Sequence, residues 1–367
     1  MAEVGNAAGR DIVRSRNDPC ICIPDDRTVA MKIKEKYLYD HELVAELLLK
    51  EMEHWGIKGA SASMIHNGEI IFQKALGTKN PEGDPVTEST LNESASLTKT
   101  LFGTLIMRLI DEGKIDPDRP VMDVYKGEPW SYDKRFINIT PRHCLSHSCG
   151  LPNWQDKPME MIFDPGSRFS YSGEGYFLLQ RMTEQIMGKD LNSLFHEYFL
   201  DPLGMEHSSA TWTPEIYASF SCGFDKAGNV VKIRDKRRTA GHAPEPCAAW
   251  SLYSNAFDMA LFQRYIINEH GGLKDETFAL MHTPQIMASS QIPWGLGWGL
   301  CLKDDGILWH WGDNDGFESL SLLDWKTGDA LAVFTNSDNG SYFWDAVAGQ
   351  LTDAPMDDIT SFVRIAE

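Results

Sequence analysis

No run of uncharged apolar residues in this chain reaches the roughly 20 residues that a membrane-spanning helix needs. The opening MAEVGNAAGRDIVRSRND lacks the apolar core of a secretory signal, so a cytoplasmic location is the expectation, with a mature secreted form already cut as the alternative. Positive charge is scarce: 34 Lys and Arg stand against 53 Asp and Glu, a formal net charge of −19. Without a basic face for a phosphate backbone, nucleic acid is not expected as a partner. Cysteine lacks paired spacing. The seven residues at 20, 22, 144, 149, 222, 247 and 301 are an odd number and suit reduced thiols better than a disulfide framework. What is present is globular: 367 residues, 42% hydrophobic, enough for one large core or two sub-domains, which makes disorder and repeat architectures poor accounts.

Residues 1–34, with the segment DPCICIPDD, read as an irregular N-terminal leader to which no chemistry is assigned. From His41 to Trp55 the pattern is that of an amphipathic helix, and residues 60–77 read as two strands joined at Asn67-Gly68. Residues 91–289 are mostly helix and loop, with periodic runs at 177–188 and 257–272. The segments 294–312, 317–325 and 330–337 read as strands, with turns at Asp305-Gly306 and Thr327-Gly328, and SYFWDAVAGQL reads as a closing helix. The expected fold class is α+β. Residues 35–90 and 290–367 form one lobe with an antiparallel sheet, residues 91–289 form a helix-rich lobe, and the active site lies between them.

The stretch NESASLTKTLFGTLIMRLIDEG, residues 92–113, puts Ser96 three places before Lys99. A serine hydroxyl is a weak nucleophile at neutral pH and needs a base beside it. Residues i and i+3 share a helix face, which sets the Lys99 amine beside the Ser96 oxygen. The apolar series Leu97, Leu101, Leu105, Leu109 begins right after Ser96, and Gly113 supplies a stop. Ser96 is thus expected at a helix N-terminus, where free backbone N–H groups can hold a developing oxyanion. An N-capping serine with a surface lysine has the same spacing. The second copy, Ser131-Tyr132-Asp133-Lys134, has no apolar helix behind it and reads as loop.

The stretch resembles the nucleophile motif of the serine β-lactamase and penicillin-binding protein superfamily, in particular the class C β-lactamase-like branch with its family VIII esterases and acyltransferases. The resemblance runs from about residue 57 to 337 through GASASMIHNGEIIFQKALG, SASLTKT, GKIDPDRPVMDVY, ITPRHCLSHSCGLP, FDPGSRFSYSGEGYFLLQRM, FLDPLGMEHSSAT, WSLYSNAFDMALF and HWGDNDGF in the family's order. It implies a β-lactamase/transpeptidase-like fold. The family's Tyr-x-Asn falls on Tyr171-Ser172-Gly173, which makes Tyr171 a catalytic proton carrier whose anion a neighbouring lysine ammonium would favour. Gly173 departs from the pattern. The missing carboxamide, which would help hold the lysine and a β-lactam side chain, puts β-lactam specificity in doubt.

Lys326-Thr327-Gly328 spells the family's third motif but falls between two strands, where a tight turn accounts for the glycine. The resemblance points to His310-Trp311-Gly312 instead. His310 then replaces a lysine that grips a substrate carboxylate, Trp311 adds an apolar face, Gly312 allows close substrate approach, and the Asp313 N–H joins that of Ser96 as the oxyanion hole. Residues 143–149 carry His143, Cys144, His147 and Cys149 and could suggest zinc. The segment also matches the place where a helix of the family turns at Gly150-Leu151-Pro152, and no metal or other cofactor is expected. Trp154, Trp250, Trp294, Trp298 and Trp311 fall in segments that border the site in similar proteins. They imply a pocket for an aromatic or long apolar group, with Trp154, Trp250 and Gly173 among the substrate contacts.

The expectation is a serine hydrolase or acyltransferase that acts on a small-molecule ester through an acyl-enzyme, with water or an alcohol or amine as acceptor. The alternatives are a β-lactamase, a peptidase or amidase for D-amino-acid substrates, and a non-catalytic binding protein on the same fold. The sequence leaves the substrate and the oligomeric state open.

Overall fold

The computed structural model describes residues 30–232 and 245–366. Its centre is a five-stranded antiparallel sheet made of β1 (Gly59–His66), β2 (Glu69–Gly77), β3 (Ile307–Asn314), β4 (Phe317–Asp324) and β5 (Asp329–Thr335). The spatial order β2-β1-β5-β4-β3 joins strands from the two ends of the chain through the β1–β5 pair. One edge is β3, bridged near its start by Gly299 against Trp309. All eight residues of β4 and all seven of β5 are buried, because helices cover both faces of the sheet.

Side-chain alternation divides these strands between two cores. Leu320, Leu322, Leu331 and Val333 pack with α1 (His41–Trp55), α5 (Gly340–Leu351) and α6 (Met356–Ala366). Leu308, Leu323, Ala330, Ala332 and Phe334 face α2 (Thr98–Asp111) and α4 (Ala256–Glu269). The α1 boundaries follow from its caps: Asp40 accepts from the Leu43 N–H, and Gly56 ends the helix at φ 69°. Leu97, Leu101, Leu105 and Leu109 are all fully buried, which fixes the rotation of α2 about its axis. No helix among the described residues is long and apolar enough to cross a membrane.

The expected strands over 294–312 are only partly present. Pro293–Trp294 and β3 are extended, and the chain between them is irregular. Gly297 adopts φ 92° and passes so close to Gly103 of α2 that a Cβ on Gly103 would lie 2.9 Å from its Cα. This crossing over the helix breaks the strand. The Asp305-Gly306 turn precedes β3, while the hairpin from β3 to β4 turns at Asp315-Gly316, with Gly316 at φ 79°. The helical pattern at 177–188 belongs to α3 (Gly173–Met187), which starts four residues earlier because Ser172 caps it through the Gly175 N–H. Helix α6 had no counterpart among the sequence expectations.

Of the leader, residues 1–29, with Cys20 and Cys22, lie outside the described residues. Its last residues are built into the body: Met31 and Ile33 are buried and donate their N–H groups to Asp304 (2.6 Å) and Asp329 (2.7 Å).

Candidate active site

Ser96 occupies a single 3-10 turn, Ala95–Leu97, that leads directly into α2. Ala95 before it has φ 47°, a left-handed conformation that costs an L-residue about 1–3 kcal/mol. Several bonds hold it there. Thr98 Oγ1 donates to the Ala95 carbonyl at 2.6 Å, the Ser94 N–H to Leu252 O at 2.8 Å, and Ser319 Oγ to the Ser94 carbonyl at 3.1 Å. Strand β3 closes on this turn at Gly312, where a Cβ would lie 2.3 Å from the Ser94 carbonyl oxygen and 2.4 Å from Ser319 Oγ. The approach of strand to turn therefore requires a glycine here, a packing reason separate from the close substrate approach expected of it.

Lys99 is 1% exposed, and its Nζ donates to Ser96 Oγ (3.0 Å) and to the Ala249 carbonyl (2.7 Å). No carboxylate forms an ion pair with it among the described residues, and burial lowers its pKa to about 7, against a small opposing effect of Cys247. The Tyr171 ring lies 4.8 Å from Nζ. Burial pushes the phenol pKa upward, and the nearness of Ser96 offsets only part of that rise. The hydroxyl is buried without a hydrogen bond of ordinary geometry among the described residues. Burial therefore favours the protonated phenol and the neutral amine, the opposite direction to the tyrosinate beside an ammonium that was expected.

Backbone N–H directions follow from the strand. The Trp309 N–H points away from β4 to Gly299 O at 3.0 Å, so by two-residue alternation the Asp313 N–H also points off the free edge. Ser96 and Asp313 both line a cleft of about 480 Å³. Lys99, Tyr171, Trp154, Trp250 and Trp311 line it too, as do Glu93, Asn153, Lys232, Asn314 and Asp315.

His310 does not reach this cleft, which corrects the expectation that it meets substrate. It is 0% exposed, its Nδ1 lies 2.7 Å from the Trp311 carbonyl and donates to it, and burial followed by Lys99 lowers its pKa to about 3. A neutral imidazole in the wall cannot grip a carboxylate. Gly173 is also absent from the lining. A Cβ there would lie 2.4 Å from the Trp154 ring, so the glycine makes room for that indole, which is 52% exposed at the mouth. The Gly173 N–H donates to Asn153 Oδ1 at 2.8 Å, and Asn153 is itself among the residues that line the cleft. Trp294 and Trp298 are fully buried and serve the core.

The zinc-like segment is dispersed. His143 completes the cap of the helix Pro141–Leu145 together with Thr140, and Cys144 and Cys149 are buried free thiols. His147 stacks on Tyr171 with centroids 4.2 Å apart while its Nδ1 accepts from the Ser172 N–H at 3.0 Å. Among the described residues no group of three or more His, Cys, Asp or Glu could hold a metal ion. Lys326-Thr327-Gly328 turns at the far end of β4 from Ser319, with Gly328 at φ 76°. Ser131 donates to the Met159 carbonyl at 2.7 Å in a loop.

Sequence reasoning missed His147, Asn153 and the polar wall. In that wall Glu93 Oε2 accepts from Lys232 Nζ and from Asn314 Nδ2, each at 2.7 Å. Glu93 had the signal of lying three residues before Ser96, and Asn153 that of lying beside Trp154. Lys232, on the short strand Val230–Lys232, had none.

Comparisons with known proteins bear on the family and the fold. The family profile described as Beta-lactamase matches residues 44–351. Protein flp of Staphylococcus aureus (strain MW2) is 22% identical over 312 residues, 78% of this chain and 61% of that protein. A beta-lactamase of Pseudomonas fluorescens is 27% identical over 201 residues, 50% of this chain and 54% of the other. The chain thus spans less than two thirds of the length of these two relatives. A putative D-alanyl-D-alanine carboxypeptidase of Escherichia coli O157:H7 is 26% identical, covering 68% of this chain and 71% of that one. Among solved structures, the octameric penicillin-binding protein homologue from Pyrococcus abyssi superposes with a TM-score of 0.71 at 23% identity, covering 84% of this chain and 76% of that chain. The D-alanine carboxypeptidase AmpC from Burkholderia cenocepacia gives a TM-score of 0.69 at 16% identity, covering 85% and 100%. These two likenesses bear on the fold, which is that of the β-lactamases and penicillin-binding proteins. With a family match across most of its length and that fold, the chain belongs to the beta-lactamase family.

Proposed function

We propose that the protein is a serine acyl-transfer enzyme that cleaves a small-molecule carboxylic ester through an acyl-enzyme on Ser96. The observation that carries this reading is the 3.0 Å contact from Lys99 Nζ to Ser96 Oγ inside the cleft, at a lysine whose burial lowers its pKa to about 7. Ser96 Oγ attacks the carbonyl carbon while its proton passes to Lys99 Nζ. The Ser96 and Asp313 N–H groups receive the oxyanion. The ester C–O bond then breaks, and the alcohol leaves with a proton returned from Lys99 through the Tyr171 hydroxyl. Water, or an alcohol or amine acceptor, reverses these transfers and frees Ser96. Substrates with an obligate carboxylate, β-lactams included, are disfavoured because His310 is neutral and enclosed.

Intact-protein mass spectrometry tests this with short and long p-nitrophenyl esters, nitrocefin and a fluorophosphonate probe on wild type and Ser96→Ala. An adduct on the wild type that vanishes in the variant is expected, with esters turned over ahead of nitrocefin. Equal adduct on the variant removes Ser96 as nucleophile, and binding without any adduct or turnover points to a non-catalytic protein.

A further inference from the structure

Resting on Lys99 as the base that activates Ser96, we infer that Gln180 is a positioning residue for that amine, because it fixes the turn whose Ala249 carbonyl receives Lys99 Nζ. Gln180 lies on α3, is 1% exposed and is not among the residues that line the cleft. Its carboxamide grips the chain on both sides of Cys247. Oε1 accepts from the Ala248 N–H at 2.8 Å, and Nε2 donates to the Pro246 carbonyl at 2.9 Å. The second N–H of Nε2 donates to Glu184 Oε1 at 2.8 Å. Reversing the amide would face Nε2 with the Ala248 N–H and Oε1 with a carbonyl and a carboxylate, so the hydrogen bonds fix its orientation. Glu184 also accepts from Arg181 at 3.0 Å and from the Leu191 N–H at 3.1 Å, which hold it without Gln180.

The turn itself is closed by local bonds. The Trp250 and Ser251 N–H groups donate to the Cys247 carbonyl, each at 3.1 Å, and the Cys247 N–H donates to Ser251 Oγ at 2.8 Å. Such bonds set the shape of a turn and not its place in the lobe. After Ala249 that place is set by Thr98, whose Oγ1 accepts from the Leu252 N–H at 3.0 Å, and by Ser251 Oγ on the Ala210 carbonyl at 3.3 Å. Before Ala249, over residues 246–248, Gln180 supplies the hydrogen bonds to another element among the described residues. The carbonyl so placed does two things for Lys99. By taking one N–H of the neutral amine it leaves the lone pair able to face the Ser96 hydroxyl, 3.0 Å away. It also favours the ammonium, since a charge-assisted hydrogen bond is the stronger one, and so limits how far burial lowers the basicity. Displacing it therefore costs both aim and basicity. The other titratable groups near the amine are Cys247, Tyr171, Tyr176, His147 and His310, and none of their side chains hydrogen-bonds to Gln180 among the described residues.

The test is an NMR titration of protein carrying lysine isotope-labelled at Cε, the Lys99 signal being the one that Lys99→Met removes. In Gln180→Met, which keeps the length of the side chain and loses its amide, Lys99 is expected to titrate lower by about 0.5 or more. The acid limb of ester kcat/KM should move with it, and kcat should fall about tenfold with KM within about twofold. Thr183→Val is the control: it removes a buried hydroxyl from the same helix, bonded to the Leu179 carbonyl at 2.8 Å, and should leave the titration and kcat as they are. Gln180→Leu serves if the methionine variant does not fold. A Lys99 signal that keeps its midpoint in the variant overturns the inference. So does one that moves up, the sign of water entering a loosened turn, or an equal shift in Thr183→Val. A wild-type lysine that titrates near 10.5 removes the base reading and this one together. A midpoint near 7 without any acylation removes Ser96 as nucleophile and leaves the titration to judge Gln180.

Discussion

Among the described residues, the two walls of the cleft hold one lysine each and use it in opposite ways. Lys99, in the aromatic wall with Tyr171, His147 and His310, has among the described residues a hydroxyl and a carbonyl as its hydrogen-bond partners, and burial brings its pKa to about 7. Lys232, in the polar wall, is held at 2.7 Å from the Glu93 carboxylate. A lysine without a carboxylate is a base; a lysine with one is a charge that orders its neighbours. The lesson is that the partner decides what the side chain can do.

The sharpest break of this contrast is Ser96→Ala, which should lower ester kcat/KM by about 10³-fold or more and abolish the covalent adduct. Lys99→Met should lose activity on the same scale. It should also raise the melting temperature, and more at pH 6 than at pH 10. The native amine titrates near pH 7 and the unfolded amine near 10.5, so between those values only the unfolded chain holds the proton and wild-type stability rises with pH. Burial of the lysine thus opposes folding most at low pH, and calorimetry at the two pH values checks the sign. For the wild type, the acylation rate should climb through about pH 7 as Lys99 loses its proton, and Lys99→Met should lack that step.

Smaller effects sharpen the comparison. His147→Asn suits the left-handed φ of 53° at that position but removes the ring stacked on Tyr171. It should lower kcat by roughly tenfold with little change in KM. Glu93→Gln, which leaves Lys232 without its counter-charge, should change KM by only about two- to threefold, because a partly exposed ion pair contributes little. Steady-state kinetics with one p-nitrophenyl ester separates these two.

Helix α1, the β1–β2 hairpin and the β4–β5 pair were legible in the sequence because caps, an Asn-Gly turn and apolar patterning are local signals. Ser96 beside Lys99 was legible for the same reason, since three residues on a helix fix a distance. His310 was misread because motif position does not reveal which way a strand residue faces; here the ring turns into the wall behind Tyr171. Trp294 and Trp298 were misread for a related reason, as the glycines around them send the chain over α2 rather than along the sheet.

By itself, then, the sequence determined the α+β class, the turn-to-helix junction at Ser96 and the pairing of Ser96 with Lys99, because each is set by neighbours a few residues apart. The tertiary structure alone decided which lysine is dry and which is ion-paired, that burial raises the Tyr171 pKa, and which carboxylates share the mouth with the Asp313 N–H. Those properties depend on burial and on charges brought together from distant parts of the chain, as with Glu93, Lys232 and Asn314, and no local pattern encodes them.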